Sequence, residues 1–455
     1  MSARAIILVL FVFACGCAQT KLAPDAVRLA PGSEIAGEAS IEGLKARFAR
    51  IGEDGAPMRV LVVNGMATNA HGYSFDTQKR IAAALGQGDC RADRVLTLHP
   101  PVFVVGAGAE RYEFPPASLR ITAWAAGEGA PKVIFYETLW TPYADAFTDR
   151  YVAPSVSNLY YRAVRDWEYC AGDDDIETAP KARDPEREEA RQALVNRVLI
   201  EDLMVGGFTD AVIAVGPLGV AARDAIRQSL CIMVADALAA PSRTSSNPRC
   251  SLTAETLARF DGAAGVAAHL SGQEFAIVTY SLGSFLLLDT LDEFRLWPGD
   301  LGPPETTCAL MPAVLDETPV YMFSNQVALL LAAHPHFGCD PNGACTVFSE
   351  FGSDRTRLVD PRAHGDAPDA DAACKETARL RLIAFNDPND VMGYRLPDIL
   401  LESPLIGDVI NVRVRNPAFG VPGLFVSPAS VHSNHGENKA IIDFILDGWP
   451  LAPGF

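Results

Sequence analysis

The chain has 455 residues, enough for about two or three domains at roughly 150 residues each. Apolar residues make up 49% and charged residues 21%, a globular composition that excludes a disordered or collagen-like chain. The net charge of −18 repels phosphate backbones and argues against nucleic-acid binding, and no interior apolar run reaches the roughly 18 residues of a membrane span, which excludes a polytopic membrane protein.

The N-terminus reads Met1-Ser2-Ala3-Arg4, an apolar run from Ala5 to Ala14, then Cys15-Gly16-Cys17-Ala18. One positive charge, a short apolar core and small residues ahead of a cysteine make a secretory signal, too short to span as a helix. Ala14 and Gly16 before Cys17 resemble a bacterial lipoprotein box. That resemblance implies a signal peptide over residues 1–16, diacylation of Cys17, and attachment to a membrane through an N-terminal lipid anchor. Cys15 is the alternative lipidation site, and cleavage to a soluble secreted protein is the alternative fate. Ala18 in place of Asp after the cysteine implies, by the same resemblance, an outer-membrane lipoprotein of the cell envelope facing periplasm or surface. Eight cysteines then remain, at 90, 170, 231, 250, 308, 339, 345 and 374, an even number suited to disulfides in an oxidising compartment. Cys339 and Cys345 are the expected pair, because the Asp-Pro-Asn-Gly between them folds the loop back. Cys231 sits in an apolar stretch and reads equally as a buried thiol.

Residues 17–57 read as an N-terminal tether containing a short helix near Ile41 to Arg50. From Met58 onward, strand-like runs alternate with helical patterns. Strands are expected at Arg59–Val63, Val95–His99, Leu119–Ala125, Lys132–Leu139, Phe275–Thr279, Val320–Ser324 and Leu380–Phe385. Continuous Val, Ile and Leu in several of them suit parallel strands buried on both faces. The expected fold is α/β, a mostly parallel central sheet flanked by helices, forming one domain over residues 58–455. Between about residues 150 and 260 the alternation stops, and a helical insertion is expected there. Its part from Leu199 to Ala240 reads either as a lid over a pocket or as a packing layer on the sheet.

The string Phe275-Ala-Ile-Val-Thr279-Tyr280-Ser281-Leu282-Gly283-Ser284 passes from an apolar strand through a tight turn into an apolar helix. Ser281 at the apex fits the nucleophile-elbow pattern G-x-S-x-G, with Thr279 in place of the first Gly. Downstream, the run ending at Phe385 leads into Asn386-Asp387-Pro388-Asn389-Asp390, and Ala429-Ser430-Val431-His432-Ser433-Asn434-His435 precedes a terminal helical pattern from Ala440 to Gly448. Upstream, Val60-Leu-Val-Val63 ends in Asn64-Gly65-Met66.

These four segments, in this order over residues 59 to 447, resemble the α/β-hydrolase family, whose nucleophile, acid and base follow in the order Ser, Asp or Glu, His. The segment Asn389-Asp390-Val391-Met392 through Leu396-Pro397 is similar to the acid segment of secreted lipases. That likeness implies Asp390 as the triad acid, with Asp387 as the alternative acid or a turn former. The small-x-His pattern before the last helix implies His432 as the base, ahead of His435. An oxyanion hole is implied at the backbone N–H groups of Leu282 and Met66, with Asn64-Gly65 standing where the family usually has His-Gly. His71 reads as a pocket residue or a solvated one, and Trp140 as a structural aromatic. No cofactor and no metal are expected, since His432-x-x-His435 has no further His at ligand spacing.

The resemblance thus implies an exported serine hydrolase, an esterase or lipase acting on a small-molecule or lipid ester through an acyl-enzyme. Two alternatives stay open at this point. One is a hydrolase of another acyl bond or of a cell-envelope polymer ester. The other is a catalytically inactive envelope lipoprotein of the same fold with a binding or structural role.

Overall fold

The computed structural model describes residues 20–21, 28–29, 41–52, 55–66, 72–98, 103–104, 111–112, 117–147, 170, 208–216, 219–238, 254–296, 304–332, 338–339, 345–346, 378–403, 405–416, 419–421, 425–426 and 428–449. The signal segment with Cys15 and Cys17, His71, and residues 199–207 of the expected lid lie outside the described residues. Among the described residues, no helix is long and apolar enough to cross a membrane.

Nine strands form one sheet: β1 (Arg28–Leu29), β2 (Met58–Val63), β3 (Asp89–Thr97), β4 (Ser118–Ala125), β5 (Val133–Leu139), β6 (Phe275–Tyr280), β7 (Pro319–Phe323), β8 (Leu380–Asn386) and β9 (Ile406–Arg413). Across the sheet they run β1-β9-β8-β7-β6-β2-β5-β4-β3. All ladders from β9 to β5 are parallel. The outer pairs β1–β9, β5–β4 and β4–β3 are antiparallel, so the sheet is mixed and not parallel throughout. The connection from β4 to β5 is too short for a crossover of a dozen or more residues, so the chain turns straight back.

The seven expected strands all form. β3 begins well before the expected Val95, because its charged positions Asp89, Arg91, Asp93 and Arg94 belong to a solvated edge strand, where charge is tolerated. β9 escaped the sequence reading because Gly407 and Asp408 interrupt its apolar run, beside a register shift at Leu380 and Arg381. The short helix expected near Ile41 to Arg50 forms, and the described parts of the segment around it are built into the fold. Within residues 17–57, Arg28–Leu29 extends the sheet, and Ile41–Glu42 pairs with Gly448–Trp449. The strand residue Ile41 and Leu44 of the helix α1 (Leu44–Ile51) are both buried in the core, and Arg47 of the same helix pairs with Glu274 at 3.1 Å.

Helices cover both faces. On one side α1, α2 (Phe75–Ala84) and α6 (Lys439–Asp447) share a core with Val60, Val62, Phe323 and Phe385. On the other, α3 (Gly219–Ala237) and α4 (Gly283–Leu296) pack over Leu61, Tyr136 and Ile277. Ala221, Ala222, Ile226 and Met233 of α3 are fully buried, and Arg223 forms an ion pair with Asp289 of α4 at 3.1 Å. This part of the insertion is therefore a packing layer on the sheet and not a lid. Cys90 is joined to Cys170 by a disulfide. Cys231 and Cys308 are also disulfide-bonded, which corrects the free-thiol reading of Cys231. Cys339 and Cys345 face each other across a two-stranded antiparallel pair.

From β2 the chain departs toward β3 at one edge, whereas from β6 it departs toward β7 on the other side. Neighbouring parallel strands whose connections diverge leave a crevice at their carboxyl ends. Asn64-Gly65-Met66 follows β2 into that crevice, and Ser281 follows β6.

Candidate active site

Ser281 leaves β6 with φ of 50°, a left-handed conformation uncommon for any residue with a Cβ. Its N–H donates to the Phe323 carbonyl of β7 at 2.7 Å, and α4 begins two residues later. Two glycines let the neighbouring loops meet at this turn. A Cβ on Gly283 would lie 2.3 Å from the Asn64 carbonyl oxygen, and one on Gly65 would lie 2.7 Å from Ser281 Cβ. Both positions need glycine for close approach, whatever their φ.

His432 lies on the helix α5 (Pro428–Ser433) and reaches back over the end of β6. Its Nε2 is 2.9 Å from Ser281 Oγ. Its Nδ1 is 3.0 Å from each carboxylate oxygen of Asp390, whose side chain is fully buried. The three residues singled out from sequence positions 281, 390 and 432 thus form one hydrogen-bonded chain. Burial alone would raise the Asp390 carboxyl. The hydrogen bond and charge of His432, the Ser324 hydroxyl and the Met392 N–H outweigh it and bring the group down to about 2. The loop is tight around this acid, for a Cβ on Gly393 would fall 2.4 Å from Asp390 Oδ2.

Asp387 has a different position. It accepts from Asn389 N at 2.8 Å, Asn389 Nδ2 at 3.1 Å and Asn416 N at 2.5 Å, and closes the turn ahead of Asp390. That is Asx-turn chemistry. His435 is likewise apart from Ser281. It is fully buried, its ring stacked on Phe323 at 6.0 Å, with Asn416 and Ser324 against its nitrogens. Burial foremost, helped by the charge of His432 and opposed by Asp390, lowers its pKa to about 4 and keeps the ring neutral.

The loop after β2 is pinned from behind. Asn64 is fully buried; its Oδ1 accepts from Trp140 N at 3.1 Å, and its carbonyl accepts from Trp140 Nε1 at 2.9 Å. Trp140 is structural, as expected, with a specific duty: it holds the backbone that leads into Gly65 and Met66. Met66 packs against the core, and its Sδ accepts from Gln326 Nε2 at 3.3 Å. Leu282, directly after the nucleophile, is fully buried. Further along, the carboxylate of Glu137 accepts from Gly72 N at 3.0 Å, Ser74 N at 3.3 Å and Gln78 Nε2 at 3.2 Å, and from the Ser74 hydroxyl. Burial raises the pKa of this group, opposed by the Ser74 hydroxyl, the Gly72 and Ser74 N–H groups and the charge of Arg120.

Sequence reasoning missed Glu137, Ser324 and Asn416. Ser324 was only the last residue of an expected strand, and no local pattern marks a polar residue whose partners lie about a hundred positions away.

No family model, curated protein or solved structure matches this chain.

Proposed function

We propose that this chain is a serine hydrolase with an α/β-hydrolase-like fold, cleaving carboxylic esters through an acyl-enzyme. The observation that carries the reading is the contact chain from Ser281 Oγ to His432 Nε2 at 2.9 Å and from His432 Nδ1 to Asp390 at 3.0 Å, on a serine held at φ 50°. A nucleophile within reach of its base, and a base oriented by a buried carboxylate, is the arrangement that nucleophilic acyl transfer needs.

In this mechanism His432 Nε2 takes the Ser281 proton as Oγ attacks the ester carbonyl carbon. Asp390 holds Nδ1–H, so that Nε2 carries the free lone pair, and it stabilises the imidazolium that forms. The Met66 and Leu282 N–H groups bind the developing oxyanion; losing one such donor costs about 10²–10³ in rate. Imidazolium gives its proton to the departing alkoxide. Water, deprotonated by His432, then attacks the acyl-enzyme and returns Ser281 to its free form. Esters are the substrate class because the acid and base segments resemble those of lipases and carboxylesterases. The disulfide-bonded Cys90, Cys170, Cys231 and Cys308 support export to an oxidising compartment. Export with Cys17 as the lipid-anchored residue completes the proposal.

Purified signal-less protein treated with a fluorophosphonate probe, beside Ser281→Ala, tests this reading. Labelling of the wild type that is lost in the variant is expected. A folded, oxidised wild type that takes no label overturns the hydrolase reading.

A further inference from the structure

Ser324 follows β7 as Ser281 follows β6, and it takes the same φ of 50°. A non-glycine residue in that conformation is held there by its surroundings, and such residues cluster at functional sites. Ser324 is buried, and its Oγ reaches the base of the triad. It donates to the His432 carbonyl oxygen at 3.0 Å.

The remaining partners decide where its single proton goes. His435 presents both ring nitrogens to Ser324 Oγ, at 2.8 and 3.4 Å, and both to Asn416 Nδ2, at 2.8 and 3.1 Å. Neutral imidazole has one donor and one acceptor nitrogen. Asn416 Nδ2 can only donate, and its other proton goes to the Val431 carbonyl at 2.9 Å. One ring nitrogen therefore accepts from Asn416, and the other donates to Ser324 Oγ. With one of its lone pairs taken by His435, the Ser324 hydroxyl turns its proton toward the His432 carbonyl, which His435 Nδ1 also approaches at 3.3 Å. Asn416 is itself fixed, accepting from Asn438 Nδ2 at 3.0 Å and donating its backbone N–H to Asp387.

The geometry points to Ser324 as a positioning residue of the triad: oriented by His435 and Asn416, its hydroxyl holds the His432 backbone carbonyl and so sets the base against Asp390. This rests on the hydrolase reading for its catalytic meaning, but the hydrogen-bond chain exists apart from turnover. Ser324 touches no reacting atom. It limits the movement of the His432 backbone, so that Nδ1–H of His432 always meets the Asp390 carboxylate.

Two readouts on the full mature chain test it. The first is the downfield proton resonance of His432 Nδ1–H, identified by its loss in Asp390→Asn; it reports the network whether or not the protein turns over an ester. The second is the rate of fluorophosphonate labelling at neutral pH. Ser324→Ala and Ser324→Gly are expected to shift or broaden the resonance alike and to slow labelling about tenfold, the size of one buried hydrogen bond. Combined with Asp390→Asn, Ser324→Ala is expected to add no further loss. An unmoved resonance in both variants, a full additional loss in the Asp390→Asn background, or an effect in Ala that Gly relieves overturns the proposal, the last because backbone strain would then be the cause. An unlabelled wild type whose resonance still responds to Ser324 sinks the hydrolase reading alone and leaves the network standing.

Discussion

Thr279 Oγ1 lies 2.7 Å from Ser284 Oγ, both side chains fully buried at the foot of the turn that carries Ser281. Thr279 stands where the elbow pattern has glycine, and a hydroxyl there must find a partner. Ser284, one residue past the small Gly283, supplies it. Thr279→Val keeps the shape but leaves the Ser284 hydroxyl unpaired, so stability is expected to fall by about 1–2 kcal/mol while Ser281 still labels. The double variant Thr279→Val with Ser284→Ala is expected to recover most of that loss. Urea unfolding midpoints decide the matter; an unchanged midpoint in the single variant would show the pair to be idle.

The two carboxylates of the 387–390 turn are separable by experiment. Asp390→Asn removes the acceptor for His432 Nδ1–H and is expected to lower ester turnover by about 10⁴. Asp387→Asn weakens the acceptor for Asn389 and for the Asn416 N–H, and is expected to cost stability with a much smaller effect on turnover. Kinetics and thermal unfolding measured on both variants check this. The reverse ranking of activities would assign the acid to Asp387.

Gly65 abuts the nucleophile. In Gly65→Ala the new methyl falls 2.7 Å from Ser281 Cβ and 2.9 Å from the Tyr280 carbonyl, so the Asn64–Met66 loop must move away from Ser281. A displacement on the order of 1 Å costs about 10²-fold in rate, and that is the loss expected in probe labelling. Gly88→Ala, with no atom within 4 Å of the added carbon, is the matched change and is expected to leave labelling intact. Equal labelling in the two variants would remove the Asn64–Met66 loop from the site.

His435 ties stability to pH. Its folded pKa of about 4 lies below the ordinary value of about 6.5. The unfolded chain therefore takes up the proton first as pH falls, and stability declines through the window from about 6.5 to about 4. Asp390, lowered to about 2, acts later: its contribution is present above about 3.9 and is lost as pH falls toward 2. Urea midpoints from pH 7 to 4 are expected to fall steadily in the wild type and less steeply in His435→Gln. The same slope in both would mean that His435 is not the group responsible.

The amino-acid order alone determined the local pieces of this protein. Continuous runs such as Val60–Val63 and Leu382–Phe385 have only one place to go, the middle of a sheet covered on both faces. The strand–turn–helix around Ser281 is equally local, because the small Gly283 and the apolar flanks lie within a few residues of it. The positions of Asp390 and His432, each after an apolar segment, were legible for the same reason. What sequence could not supply was anything set by partners far along the chain. Asp390 was set ahead of Asp387 by a resemblance alone, and what distinguishes them physically is that α5 brings His432 over one while the Asn416 N–H meets the other. His432 and His435 separate in the same way, one facing Ser281 and the other sealed against Phe323. The helix near Ile41 to Arg50 was legible, but its docking was not, because a short helix is marginal until a core is there to hold it, and part of that core comes from Phe323, Phe385 and Phe444 far along the chain. Ser324 carries no local signal at all. Its hydroxyl finds its partners only once the turn after β7 meets the helix α5 and His435, because hydrogen bonds are settled by distance in space and not by order along the chain.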